Sequence, residues 1–373
     1  MSRVHNGYGP PTVKTRAEIG ERYVDLETCK AYECVAIVPS DPIDYGFVDI
    51  HQAHNDDYEW VSYTNSHKIT DFYNFCNGGF YRVDDFFNID LTGATNFNSA
   101  CKGLTNKYTH VPYLDTRNGT LFISMFENCS YVKTMDGIDT RNGKNFSKMF
   151  CNCGSLKYAP QLDTHNGTNF TSMFEKCYAL LTAPELDVTN GTTFDKMFYT
   201  CSSLTEVPAL NVVNGTIFSS MFFGCKKLVS VGRLTTSNGS SFSSMFDGCA
   251  ALSTVSGIDM NGAQSTSSMF AACAALTNLT VYNIRASLQI GSGTSWGHLL
   301  TVDSLVHTIK ELCTVTTQQT LTMGSANLAK IADLYCKVND DTTEKIDMEL
   351  CDSTDEGAMT LAEYAMLKNW VFA

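Results

Sequence analysis

Apolar residues recur in a fixed order through the middle of the chain. In the unit from Asp187, "DVTNGTTFDKMFYTCSSLTEVPAL", Phe194, Met197, Phe198 and Cys201 stand at i, i+3, i+4 and i+7. That spacing predicts one face of an α-helix about two turns long. Asn190-Gly191 predicts the turn leading in, since both tolerate positive φ, and Thr192 or Thr193 is placed to cap the helix start. Leu204, Val207 and Leu210 then predict a short extended segment facing the same interior, where Pro208 suits a strand with little regular pairing on its outer side.

The same columns return along the chain. Met-Phe pairs begin at Met125, Met149, Met173, Met197, Met221, Met245 and Met269, every interval being 24 residues, and a cysteine follows each Met by four, from Cys129 to Cys273. A period this strict predicts a solenoid in which each unit packs on the next in one register. One unit alone cannot bury its apolar face, whereas stacked units form a continuous core, so the Phe, Met-Phe and Cys columns are read as packing. The array frays at its ends as capping units do. Upstream, Asp90 to Phe97 matches Asp115 to Phe122, but Ala100-Cys101 replaces the Met-Phe pair; downstream, Thr266 stands where earlier units carry Phe.

Composition narrows the function. Of 373 residues 43% are hydrophobic, ample for a core, and the formal net charge of −13 argues against nucleic acid or an anionic membrane surface as partner. No apolar run is long enough to span a bilayer, and the opening "MSRVHNGYGPPTVKTRAEIG" has no apolar core region of a secretory signal. The chain is expected to be made in a cytoplasm and to reach any outside location by another route. The ladder cysteines are expected to be reduced, small apolar fillers. Cys151 and Cys153 have no second pair to complete a zinc site.

The repeated "MF..C..L", with its Asn-Gly and Leu-Asp columns, resembles the BspA-like class of leucine-rich repeats over residues 90–283. Members of that class are adhesive surface proteins of bacteria and some protists, and the repeats also occur in phage and prophage proteins. The resemblance implies no catalytic residues. The flanks resemble phage modules. Gly20, Tyr23-Val24-Asp25, Tyr32 and Tyr58-Trp60 match a small β-module near the ends of tail and fibre proteins, with two strands and a turn at Glu27-Thr28-Cys29-Lys30. "LLTVDSLVHTIKELC", "QTLTMGSANLAKI" and "YAMLKNWVFA" resemble a closing module found after such repeats, with an extra acidic stretch from Asn339 to Gly357.

These readings give an α/β repeat fold, a leucine-rich-repeat solenoid of turn-helix-strand units, in four parts. Residues 1–66 are a small β-rich docking module, 67–116 degenerate capping coils, 117–283 the solenoid, and 284–373 a mainly helical C-terminal cap. The expected function is a non-enzymatic phage virion protein that presents the solenoid for attachment to a host or gut surface. Alternatives are a structural decoration protein, as a head fibre or tail accessory with no external ligand, and a bacterial surface adhesin. Expected partners are other virion subunits through the N-terminal module, a host surface protein or glycan, and further copies of the chain, without nucleic acid or membrane insertion.

Candidate binding residues are outward positions that differ between coils on the strand side: Lys157, Tyr158, Gln161, Glu185, Glu206 and Arg233. Other motifs are expected to be structural. "NGT" at Asn118, Asn166, Asn190 and Asn214 and "NGS" at Asn238 match a glycosylation sequon but are explained as turn plus cap. His51 and His54 are read as polar loop. Asp352, Gly357 and Glu363 fall at positions 1, 6 and 12 of a calcium loop, but Thr354 and Glu356 occupy positions that usually carry Asp or Asn. No cofactor, metal or catalytic site is expected.

Overall fold

The computed structural model describes five strand segments between Val4 and Ser62, then residues 93–104, 108–111, 114–290, 300–340 and 347–373. The segments are β1 (Val4–Gly7), β2 (Arg22–Asp25), β3 (Lys30–Ile37), β4 (His51–His54) and β5 (Tyr58–Ser62), and they form one sheet in the order β1-β2-β3-β5-β4. β2 and β3 pair antiparallel, Asp25 opposite Lys30, around the expected turn, whose first three residues lie outside the described residues. His51 and His54 bound strand β4 rather than lying in a loop.

The middle of the chain is a solenoid, and its repeating unit differs from the expected one. The stretch Phe194 to Cys201 is a chain of tight turns, not a helix. Met197, Tyr199 and Cys201 donate their N–H groups to carbonyls three residues back, on Phe194, Lys196 and Phe198, at 3.1 Å. The alternate N–H groups leave the coil. Phe194, Lys196, Phe198 and Thr200 donate to Ile217, Ser219, Met221 and Phe223 of the next coil, at 2.6–2.9 Å. An α-helix would spend every interior N–H within itself, so a segment that hands every second one to its neighbour cannot be helical. Turns closing over three residues also bring i and i+3 together, which is why the apolar spacing mimics a helix. The third residue of two turns takes positive φ, Lys196 and Thr200 at 55° each, as a type II turn requires.

The short strands lie on another side of the coil. β6 (His110–Val111) pairs in parallel with β7 (Thr134–Met135). β8 (Glu206–Val207), β9 (Ser230–Val231), β10 (Thr254–Asp259) and β11 (Asn278–Tyr282) form a parallel sheet in sequence order. A separate ladder of single parallel bridges runs Asn96, Leu121, Asn145, Asn169, Thr193, Ile217, Ser241 and Ser265. The expected extended segment is therefore present, with Leu204, Val207 and Leu210 all turned inward.

Two aromatic columns fill the interior. Phe97, Phe122, Phe146, Phe170, Phe194, Phe218 and Phe242 stack ring on ring at 5.4–5.7 Å. The second column, Phe126 through Phe270, has the same spacing. Each buried ring contributes about 1.5–3 kcal/mol from burial and each stacked pair about 0.5–1.5 kcal/mol more. The first column stops at Thr266, whose hydroxyl donates to the Ser287 carbonyl.

Gly191 has a different role from the expected one. Its φ is not positive; a Cβ there would stand 2.4 Å from Phe194 Cζ and 3.0 Å from Phe170 Cε2. The turn glycine makes room for the first aromatic column, and Gly143, Gly167, Gly215 and Gly239 repeat the contact. The adjoining asparagines stitch coils together: Nδ2 of Asn142, Asn166, Asn190, Asn214 and Asn238 donates to a carbonyl of the preceding coil at 2.7–2.8 Å. Thr192 likewise donates its hydroxyl to the Thr168 carbonyl, with no helix to cap.

The cysteine column is bound as tightly. Sγ of Cys153, Cys177, Cys201, Cys225, Cys249 and Cys273 donates to a Phe carbonyl of the preceding coil at 3.0–3.1 Å. A thiol is the side chain that fits: small and apolar, with one weak donor for an otherwise idle lone pair. Burial pushes these thiols well above their usual value, Cys273 to about 12.

The C-terminal region is mixed rather than mainly helical. Helices α1 (Val302–Lys310), α2 (Ser325–Ile331) and α3 (Leu361–Leu367) accompany two three-stranded sheets: β12 (Leu288–Gln289) with β13 (Gln319–Thr322) and β17 (Trp370–Phe372), and β14 (Tyr335–Asp340) with β15 (Asp347–Cys351) and β16 (Met359–Thr360). Helix α1 closes the open edge of the solenoid. Ser304 Oγ accepts from the Leu279 N–H, and Thr301 N–H donates to the Thr277 carbonyl, taking the place of a further coil. Sequence signals for β12 to β17 were short and lacked clean alternation, while the amphipathic helices stood out.

Gly191→Ala is expected to lower stability by about 1–3 kcal/mol, the usual cost of overpacking, in a urea titration followed by circular dichroism. Gly137→Ala, whose added Cβ meets nothing within 4 Å, is expected to change it by less than about 0.5 kcal/mol. The thiols set an alkaline limit. Their folded values lie above the usual 9.0, so stability is level below that pH and falls as pH rises from it towards the folded values. Replacing Cys177, Cys201 and Cys225 by Ala should flatten the fall in urea midpoint between pH 9.0 and about 11, though at a cost in midpoint at neutral pH.

Candidate functional site

With the interior columns committed to packing, coil-specific chemistry is confined to the outside. All six candidate residues are exposed, Tyr158 to 60%. They do not form one cluster. Gln161, Glu185 and Arg233 share a column with Gly137, Ala209 and Gly257, each a coil apart. Tyr158 and Glu206 belong to the strand column that runs through His110, Thr134, Thr182, Ser230 and Thr254, and Lys157 precedes Tyr158.

The strand ladder is interrupted at the coil that carries Tyr158. β6 pairs with β7, and bridging resumes at Thr182 with Glu206; among the described residues no strand pairing joins Tyr158 to either side. Pro160 has no N–H to offer the ladder here. Beside this break lies an open groove of ≈ 580 Å³ floored in part by Ile138 and Leu162, with Asp139, Arg141, Gln161, Asp163 and Asp187 among its polar lining and Gly137 at its edge. Of the six candidates, Gln161 alone lines it.

Sequence reasoning missed the rest of that lining for a clear reason. Asp139, Asp163 and Asp187 sit at one repeat position, and their regularity reads as scaffold. The signal that could have separated them is the residue two places on, which changes from coil to coil: Arg117, Arg141, His165, Thr189, Val213 and Ser237. In the structure these partners hold the carboxylates. Arg141 grips Asp139 through Nε at 2.9 Å and Nη2 at 2.6 Å, a two-point contact. His165 Nδ1 lies 2.5 Å from Asp163, while the Asn166 amide donates to Nε2 at 2.7 Å, which leaves Nδ1 as the protonated nitrogen. Asp187 accepts from the Thr189 N–H at 3.1 Å.

Arg141 holds the Asp139 carboxyl below the usual carboxylate value, His165 does the same for Asp163, and hydrogen bonds from Thr189 do so for Asp187. All three are ionised at neutral pH, so the groove sets three carboxylates against one guanidinium. Beneath them, Thr140 and Thr164 are buried and donate to the carbonyls of Asp163 and Asp187 at 2.8 Å, fixing the backbone that presents the acids.

Two of the residues at calcium-loop positions have structural roles. Glu363 accepts from the Thr360 N–H and hydroxyl as the box that caps α3, and Gly357 is a turn residue with φ of 77°. Among the described residues no group of three or more His, Cys, Asp or Glu is arranged to hold a metal ion, and no helix is long and apolar enough to cross a membrane.

Residues 76–185 and 181–284 each match the family described as Mycoplasma protein of unknown function, DUF285, the two together spanning more than half of the chain. No curated protein and no solved structure matches the chain significantly.

The three carboxylates also fix an acid response. Their folded values are depressed, so their contribution is present above the usual 3.8 and is lost as pH falls through the folded values. Replacing Asp139, Asp163 and Asp187 together by Asn should flatten the urea midpoint below pH about 4. Asp163 and Asp187 are exposed and the Arg141 guanidinium that holds half-buried Asp139 stands in solvent, so the change at neutral pH should stay under about 1 kcal/mol per site.

Proposed function

The chain belongs to the DUF285 family, a repeat family of the BspA-like kind, and from that premise we propose a non-enzymatic phage virion protein that presents its solenoid for attachment to a host or gut surface. The observation that carries the attachment reading is the division of labour within each coil. Interior columns repeat almost without change, while the exposed columns through Gln161 and Arg141 differ from coil to coil and border a groove. A scaffold needs only the first, so the variation outside is free for recognition.

The virion part rests on the flanking sequence, whose landmarks resemble tail and fibre modules. The sheet β1 to β5 would dock the rod to other virion subunits, in several copies, leaving the solenoid outward. A second reading, a cell-bound adhesin, is favoured by the family's description, which names Mycoplasma, a cellular organism.

Immunogold electron microscopy of particles from a lysate of the source cells, with antibody against residues 117–283, separates the two. Gold on particles, at the tail or in projections from the head, is the expected result. Gold on cell envelopes without labelled particles would overturn the virion reading in favour of the adhesin, and gold inaccessible until particles are disrupted would leave an internal structural role.

A further inference from the structure

The paired outer charges of the solenoid lie on its first coils. The carboxylate column runs Asp115, Asp139, Asp163 and Asp187, is neutral at Asn211 and Thr235, and returns at Asp259, which has Asn261 rather than a cation two places on and accepts from the Asn261 N–H and the Asn283 amide. Its cationic partners follow the same course, since Arg117 and Arg141 give way to Val213 and Ser237. Exposed tyrosines are gathered on these same coils: Tyr131 at 52%, Tyr158 at 60% and Tyr178 at 46%. None of these side chains joins the interior columns, so the packing of the rod does not account for them.

From this we infer that the groove over Gly137, Asp139, Arg141, Gln161, Asp163 and Asp187 binds an uncharged glycan, with exposed Tyr158, three residues before Gln161 on the same coil, offering an aromatic surface beyond the lining. The inference rests on the attachment reading and names its ligand class. Carboxylates accept from vicinal hydroxyls, and guanidinium and carboxamide groups donate to hydroxyl and ring oxygens. A tyrosine supplies rigid amphipathic contact area for the C–H face of a sugar ring at low entropic cost. The Asp139–Arg141 pair is already held at two points, so little order remains to be imposed on binding.

Size and charge narrow the class. A groove of ≈ 580 Å³ falls within the range of small-ligand sites, about 300–1,000 Å³. Three carboxylates against one guanidinium repel sialylated, uronic and phosphorylated sugars. Gly137 keeps the groove open, because a side chain built there would point into empty space. The next two residues of that column, Gln161 and Glu185, carry long polar side chains.

The test uses the full chain, labelled, on an array of defined neutral, sialylated and uronic oligosaccharides, alongside binding to cells of the source strain's host. Wild type should bind neutral glycans. Gln161→Ala, Asp163→Asn and Tyr158→Ala should each weaken binding roughly tenfold or more, the equivalent of one lost hydrogen bond to a charged or well-placed group. Lys227→Ala, at an exposed position on a later coil outside the candidate residues, should stay within about twofold, a difference worth under ~0.5 kcal/mol. Thermal unfolding of each variant checks that the fold is kept. Binding only to acidic glycans, or groove variants that bind like wild type, would overturn the inference, as would an equal loss with Lys227→Ala. Cell binding without any glycan on the array, abolished by protease treatment of the cells, would replace the glycan with a protein receptor and leave the attachment reading standing. Binding to neither cells nor glycans would sink both.

Discussion

Everything in the solenoid follows from where the backbone N–H groups go. Along the turn side, alternate groups close turns within a coil and the others reach the next coil, as at Lys196 to Ser219. That alternation fixes the distance between coils and allows no slippage. The first coil, one residue longer from Phe97 to Phe122, keeps the same pairing, with the Phe97 and Ser99 N–H groups reaching Leu121 and Ile123 at 2.8 Å, so its added residue is absorbed outside the turns. The strict period of the sequence is the visible trace of this constraint, and the stacked rings are its reward in the interior. Because the rings of the first column crowd the turn that leads into each coil, the residue three before each ring from Phe122 to Phe242 lacks a side chain, which makes the glycine a packing requirement.

How much of this could be read from the sequence depended on the kind of information each residue carries. The repeat, its register, the inward columns and the frayed first coil were legible, and Phe97 stacks on Phe122 as the alignment of those units implies. The helix was not. Phe194, Met197, Phe198 and Cys201 satisfy helical spacing and chained turns equally, and only the destination of the hydrogen bonds distinguishes them. A sequence that places Lys196 and Thr200 at positive φ gives little warning, since neither is a residue that favours it. The cost is repeated at Ser220 and Ser244 and is offset by the bonds that those turns make with the next coil, to Ser243 and Ser267 at 2.8 Å.

The groove was half legible. Gln161 stood out because it interrupts a variable column, whereas Asp163 was hidden by its own regularity. Two rules of reading were in conflict there: a repeated residue is usually scaffold, and a charged residue at an exposed position is usually chemistry. Asp163 is both. Its backbone N–H serves the scaffold, donating to the Thr140 hydroxyl oxygen at 2.9 Å, while its carboxylate lines the groove. The asparagines beside the turn glycines, expected as turn residues, do a further duty, since their amides are spent on the preceding coil.

The interchangeability of the coils has a genetic consequence. Since the joints between neighbours are nearly alike from Phe122 to Phe242, unequal crossing-over within the coding repeat would add or remove whole coils without leaving a misfit at the seam. The shared interior would be preserved by such an exchange, while the outer columns were shuffled against one another. A lineage bearing this chain could therefore change the reach of the rod, and the order of chemistries displayed along it, in a single recombination event, with the modules at both ends untouched.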